Sequence, residues 1–228
     1  MPTRNGRPMP TAGTDDATVR RRERAGRIKG LYAVTPDLAD TADLVARVEA
    51  ALDGGACAIQ YRNKTADAPL KHRQAEALAR VTAAQGALYI VNDDAALCVA
   101  VGAGGVHLGE SDGRVAAARE IVGPDCIIGV SCYNDFRLAE AAVAAGADYV
   151  AFGSFFPSGV KPAARRADVG LIDRAVALKV PVVAIGGITA QNAGELARAG
   201  AHAVAVISAV FDAPDIRAAA RAIAAAYR

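Results

Sequence analysis

Two aspartates and three basic residues in this chain could together hold a diphosphate. Asp93 and Asp112 offer hard carboxylate oxygens, while Arg62, Lys64 and Lys161 offer positive charge. A magnesium ion takes one or two protein carboxylates and fills its other positions with water and phosphate oxygens. Cationic side chains neutralise those oxygens, and the metal bridges them. A lone aspartate after a strand more often caps a helix. Two acids and three bases on one edge point instead to metal-assisted handling of an anionic leaving group.

That edge is set by the elements around it. The stretch 88–112 reads as strand, helix, strand, with 88–91 and 105–108 as its apolar runs. The first run exits into Asn92-Asp93-Asp94, the second into Gly109-Glu110-Ser111-Asp112. Further short apolar runs occur at 31–34, 57–61, 127–130, 149–152, 181–185 and 203–207. Helical patterns separate them at 43–52, 70–83, 95–101, 113–121, 135–145, 172–178 and 192–199, with a last one at 216–225. Gly55-Ala56, Gly102-Ala103, Gly146-Ala147 and Gly200-Ala201 each close a helix and precede a strand, a faint repeat of two strand–helix units. Eight strands alternating with helices predict a (β/α)8 barrel, a TIM barrel in one domain, whose ligands bind at the C-terminal strand ends. An open doubly wound sheet is the competing arrangement. No strand here leads into a glycine-rich dinucleotide fingerprint, which weighs against it.

Composition narrows the classes. A 228-residue chain fits a single barrel, and 53% hydrophobic residues supply a large core. The net charge is only +2, and much of the basic excess is local, at Arg20, Arg21, Arg22 and Arg24. No basic stripe interleaved with aromatics is present, so nucleic acid is not an expected partner. No apolar run reaches membrane-spanning length, and residues 1–29 read as a flexible tail, disordered or loosely docked, ahead of a catalytic barrel over 30–228. The four cysteines form no CxxC pair and the chain has three histidines, so free buried thiols in a cytoplasmic setting are expected rather than a zinc site. A homodimer is the default for such an enzyme.

The remaining strand exits complete the candidate site. Gln60, Arg62 and Lys64 alternate along one face of the second strand. Gln60 either reads a heterocycle through its amide or is a satisfied polar residue of a barrel layer. Asn92, Ser131 and Ser158 add neutral polar groups. Gly186-Gly187 and Ile207-Ser208, at the ends of strands seven and eight, bring backbone amides to the place where this fold commonly holds phosphate. His107 reads as a packed, hydrogen-bonded histidine in preference to a catalytic one. The opposite face of the barrel shows no comparable set. Two anion subsites favour chemistry on two phosphorylated partners, with charge stabilisation and proximity in place of a strong base.

The ordered pieces Leu31-Tyr32-Ala33-Val34-Thr35, Gln60-Tyr61-Arg62-Asn63-Lys64, Val91-Asn92-Asp93, Gly105-Val106-His107-Leu108-Gly109, Asp112, Ile128-Gly129-Val130-Ser131, Asp148 to Lys161, and Ala184-Ile185-Gly186-Gly187-Ile188 resemble the thiamine-phosphate synthase family. The resemblance implies a transferase that joins hydroxymethylpyrimidine diphosphate to a thiazole phosphate and releases diphosphate. It implies magnesium on Asp93 and Asp112, diphosphate contacts from Arg62, Lys64, Asn92, Ser131 and Lys161, with Ser158 beside them, and a pyrimidine contact from Gln60. It places thiazole phosphate on Gly187, Ile207 and Ser208. The chain departs from the family pattern at Pro36, Asp94, Tyr133 and Val160. A related barrel, the thiazole tautomerase, is a lesser match, since Cys132-Tyr133-Asn134 lacks the histidine it uses after strand five. A non-catalytic barrel that binds a phosphorylated metabolite is the alternative outside enzymes.

Overall fold

The computed structural model describes residues 12–109, 114–157 and 167–227. After α1 (Ala12–Ala25), the first unit runs β1 (Gly30–Val34), α2 (Thr41–Asp53), β2 (Ala56–Tyr61), α3 (Ala68–Ala84). The middle runs β3 (Leu88–Asn92), α4 (Ala95–Ala100), β4 (Gly105–Leu108), α5 (Val115–Val122), β5 (Ile127–Tyr133), α6 (Phe136–Ala144). The last part runs β6 (Tyr149–Gly153), α7 (Gly170–Val176), β7 (Val182–Ile185), α8 (Ala193–Arg198), β8 (Ala203–Val206). Two helices follow, the short α9 (Ser208–Phe211) and α10 (Ile216–Ala224). Neighbouring strands are parallel throughout, and β1 pairs with β8, closing the barrel as the alternating pattern predicts.

Parallel strands covered on both faces carry apolar side chains on both, and here those faces build two layers. The outer one packs Leu44 and Val48 of α2, Leu78 of α3 and Ile172 of α7 onto outward-facing strand residues such as Ile59, Val91 and Phe152. Tyr32, Ile90, Ile127, Tyr149 and Val183 fill the interior. Asp40, Asp67, Asp94, Asp135 and Asp215 each accept backbone N–H groups at the start of a helix, which fixes where α2, α3, α4, α6 and α10 begin.

The segment ahead of β1, expected to be a loosely docked tail, carries α1 in its described part. Ala25 and Ile28 are buried against Ile127, Tyr149 and Ala203 and so close the bottom of the barrel. Burying the Ile28 side chain contributes about 2 kcal/mol. The arginine run is the docking device. Arg20 Nε donates to Asp125 Oδ1 at 2.7 Å, and Arg24 Nη1 to the Asp125 carbonyl at 2.7 Å. Arg21 Nε donates to Asp148 Oδ1 at 3.0 Å, while Arg119 and the Ile128 amide both donate to Asp148 Oδ2. The bottom face therefore does hold a charged cluster, contrary to the expectation from sequence. Its acids and bases are committed to one another.

Candidate active site

The opposite mouth is built from the loops leaving β2 and β3. Thr35 follows β1, and its hydroxyl accepts from the Arg62 amide and donates to the Arg62 carbonyl, both at 2.8 Å. This reciprocal pair holds the start of the β2 exit against β1. Asp37 holds the rest, with Oδ1 accepting from the Lys64 amide at 2.9 Å and from Arg62 Nη1 at 3.1 Å. Buried Asn63 turns the loop, its Oδ1 accepting from the Thr65 and Ala66 amides and its Nδ2 donating to Gln74 and to the Leu38 carbonyl. Arg62 and Lys64 are thus aimed by a backbone that has little freedom.

Asp93 sits one residue beyond β3 with φ 66°, a left-handed conformation uncommon for a residue with a Cβ. Its amide donates to the His107 carbonyl at 2.8 Å, extending the ladder to β4 and turning the carboxylate toward the β2 exit. Lys64 Nζ lies 3.6 Å from Asp93 Oδ2, and both side chains are substantially open to solvent. Arg62, Lys64, Asn92 and Asp93 line one pocket, which Lys71 of α3 also enters. Asp94, the acidic departure beside them, accepts from the Leu97 amide at 2.8 Å and serves as the cap of α4.

Other expected residues fall around this pocket. Gln60 is buried at the top of the barrel interior, its Nε2 donating to Tyr32 Oη at 2.8 Å. Ser131, on β5, lies 2.9 Å from Nε2 of His107, whose other nitrogen lies 2.9 Å from Tyr149 Oη. His107 is therefore buried and hydrogen-bonded at both ring nitrogens, as expected of a packed histidine. Gly187, Ile207 and Ser208 stand at the exits of β7 and β8, separated from the β2–β3 pocket by β1 in the strand order. Gly187 has φ 65°, and a Cβ there would come within 2.3 Å of the Pro157 carbonyl oxygen, so the loop after β6 crosses it too closely for any side chain. Asp112, Ser158 and Lys161, with Val160, lie outside the described residues.

Among the described residues no group of three or more His, Cys, Asp or Glu side chains could hold a metal. Magnesium does not need such a group, because water and phosphate oxygens complete its shell. Asp93, an exposed hard-oxygen donor beside Lys64 and Arg62, fits a metal that arrives with phosphate.

Reading from sequence missed Asp37, Lys71 and the two interior tyrosines. Asp37 follows Pro36, just beyond the first strand, and reads there as a loop or helix-start residue. Lys71 lies on the first turns of α3 and looks like an ordinary solvated helix residue.

A family model described as thiamine monophosphate synthase matches residues 31–210. The thiamine-phosphate synthase of Chromobacterium violaceum is 57% identical over 198 residues, covering 87% of this chain and 96% of that one. That of Thioalkalivibrio sulfidiphilus is 52% identical over 207 residues, covering 90% and 98%. The chain belongs to the thiamine monophosphate synthase family. A solved thiamine phosphate pyrophosphorylase from Pyrococcus furiosus superposes with a TM-score of 0.78 at 36% identity, over 89% of this chain and 96% of that one. A 3-hexulose-6-phosphate synthase, at 20% identity and TM-score 0.66, shares the fold. Among the described residues no helix is long and apolar enough to cross a membrane.

Proposed function

We infer that the barrel mouth carries out the family's transfer through the residues gathered there. The reaction is the joining of 4-amino-2-methyl-5-hydroxymethylpyrimidine diphosphate to a thiazole phosphate, giving thiamine phosphate and diphosphate. The observation that carries the site assignment is the convergence of Arg62, Lys64, Asn92 and Asp93 on one pocket at the C-terminal strand ends. Residues 30–228 supply the catalytic barrel.

In this reading Arg62 and Lys64 neutralise the diphosphate oxygens, together with Lys161 and Ser158. Asn92 and Ser131 donate to the same group. Asp93 and Asp112 would hold magnesium, which would spread the negative charge of the leaving group. The bond between the pyrimidine methylene carbon and the diphosphate oxygen breaks, and its electron pair leaves with the oxygen. The thiazole nitrogen then gives its lone pair to the methylene carbon. No proton moves in that exchange, so it asks no general base of the pocket. Gln60 takes the pyrimidine, and Gly187, Ile207 and Ser208 hold the thiazole phosphate. Proximity supplies the rest of the acceleration.

The four free cysteines, three of them buried, fit a reducing, cytoplasmic setting, and a homodimer is the expected assembly. The reading is tested by diphosphate release from purified protein given both substrates and magnesium, against omission of each. Release is expected only with all three. Conversion of a thiazole carboxylate phosphate alone would favour the tautomerase reading.

A further inference from the structure

Five side chains form one hydrogen-bonded line across the barrel interior. Gln60 Nε2 donates to Tyr32 Oη at 2.8 Å. Tyr32 Oη lies 3.0 Å from Tyr149 Oη, and Tyr149 Oη lies 2.9 Å from His107 Nδ1. His107 Nε2 lies 2.9 Å from Ser131 Oγ. Tyr32 and Tyr149 are 1% and 0% exposed, so no solvent interrupts the line at its centre. Room for it is made by Gly129 on β5, where a Cβ would come within 1.9 Å of Tyr149 Cζ. Burial pushes both phenols well above their ordinary range, so each keeps its proton.

Each hydroxyl has one proton, and Tyr149 Oη is the acceptor within reach of the buried Tyr32 hydroxyl, so once Gln60 donates to Tyr32 the direction of the other bonds follows. Tyr32, already accepting from Gln60, donates to Tyr149. Tyr149 then donates to His107 Nδ1. A neutral imidazole that accepts at Nδ1 carries its proton on Nε2 and donates to Ser131. Ser131, accepting inward, has its own proton left for the mouth. With Nε2 used inward, Gln60 keeps Oε1 as its acceptor. Reversing the amide would reverse every bond, and Ser131 would then spend its proton on His107.

We propose that Gln60, Tyr32, Tyr149 and His107 form a directional relay that holds Ser131 as a hydrogen-bond donor to the departing diphosphate. Tyr149 and His107 act through Ser131 and are positioning residues in this relay. The proposal rests on the roles given above to Gln60 and Ser131. It adds that they are one device: a ring that offers an amino group to Gln60 Oε1 selects the amide orientation that points the Ser131 proton outward. Recognition of an aminopyrimidine and stabilisation of its leaving group are thereby linked through the protein interior.

The imidazole nitrogens report the direction without any need for turnover. In 15N-labelled wild-type protein saturated with the hydroxymethylpyrimidine, the His107 ring, assigned by the signal lost in His107→Gln, is expected to be protonated at Nε2 and bare at Nδ1. A proton on Nδ1 at neutral pH would overturn the proposal. Kinetics give a second arm. Tyr149→Phe keeps the ring and removes the relay's central hydroxyl. It is expected to lower kcat by about tenfold or more, with KM for the pyrimidine diphosphate within about twofold. Adding Tyr149→Phe to Ser131→Ala is expected to cost nothing further, because both act through one proton. Full kcat in Tyr149→Phe alone, or additive losses, would overturn the relay while leaving the role of Ser131 intact. Full kcat in Ser131→Ala would overturn that role and the relay with it.

Discussion

The two ends of the barrel use the same residue types to opposite effect. At the bottom, the Asp148 side chain is only 9% exposed and is held by Arg21 at 3.0 Å, by Arg119 at 2.6 Å and by a backbone amide. At the mouth, Lys64 and Asp93 stand 3.6 Å apart and are 59% and 32% exposed. A dry, saturated cluster fixes structure, because nothing in it is left to bind a ligand. An exposed pair in water gives little stability, and an incoming multivalent anion or metal can compete for its groups. The backbone beneath the mouth is rigid even so, through Thr35, Asp37 and Asn63, so the side chains are positioned without being consumed.

Four substitutions would sharpen or break this contrast, starting with the largest expected effect. Asp93→Ala should lower kcat/KM in magnesium by about 100-fold or more, the loss expected when a leaving group's charge goes unstabilised. Its melting temperature should move little. Retention of half the wild-type rate would remove Asp93 from the site. Asp148→Ala should do the reverse. Leaving Arg21 and Arg119 without their shared acceptor should cost about 2–3 kcal/mol in denaturant unfolding, with turnover per folded molecule unchanged. Asp37→Ala frees the Arg62 side chain and the Lys64 backbone. It should lower kcat/KM by about tenfold, chiefly through weaker diphosphate binding, while stability changes by less than about 1 kcal/mol.

The smallest effect belongs to His202, again near the bottom, whose Nδ1 accepts from the Val182 amide at 3.1 Å. Burial, and then Lys29, hold its pKa below the ordinary value. The unfolded chain therefore takes up the proton first as pH falls. Its contribution to stability is present above about pH 6.5 and is lost as pH drops through the lowered folded value. His202→Asn should flatten the acid side of the stability profile without changing activity at neutral pH.

Much of the fold was legible because the chain announces its strands by short apolar runs and its helix ends by Gly-Ala pairs. The strand exits then placed Arg62, Lys64, Asn92 and Asp93 on one edge with no knowledge of contacts. What escaped reading depends on distant partners. The arginines of α1 look like a solvated run until Asp125 and Asp148, more than a hundred residues away, are brought beside them. Tyr32 and Tyr149 look like ordinary members of apolar strands, and only barrel closure reveals that their hydroxyls meet. Asp94 could have been placed from sequence, since an aspartate before Ala95-Ala96-Leu97 is an N-cap pattern. Noting it only as a departure from the family pattern overlooked that local bond.

The most direct test of the mouth's role is calorimetric titration of diphosphate into wild-type protein and Asp93→Asn, with and without magnesium. The account predicts binding to wild type that tightens with magnesium, and a variant in which magnesium brings no tightening. Equal, metal-independent binding to both proteins would contradict it.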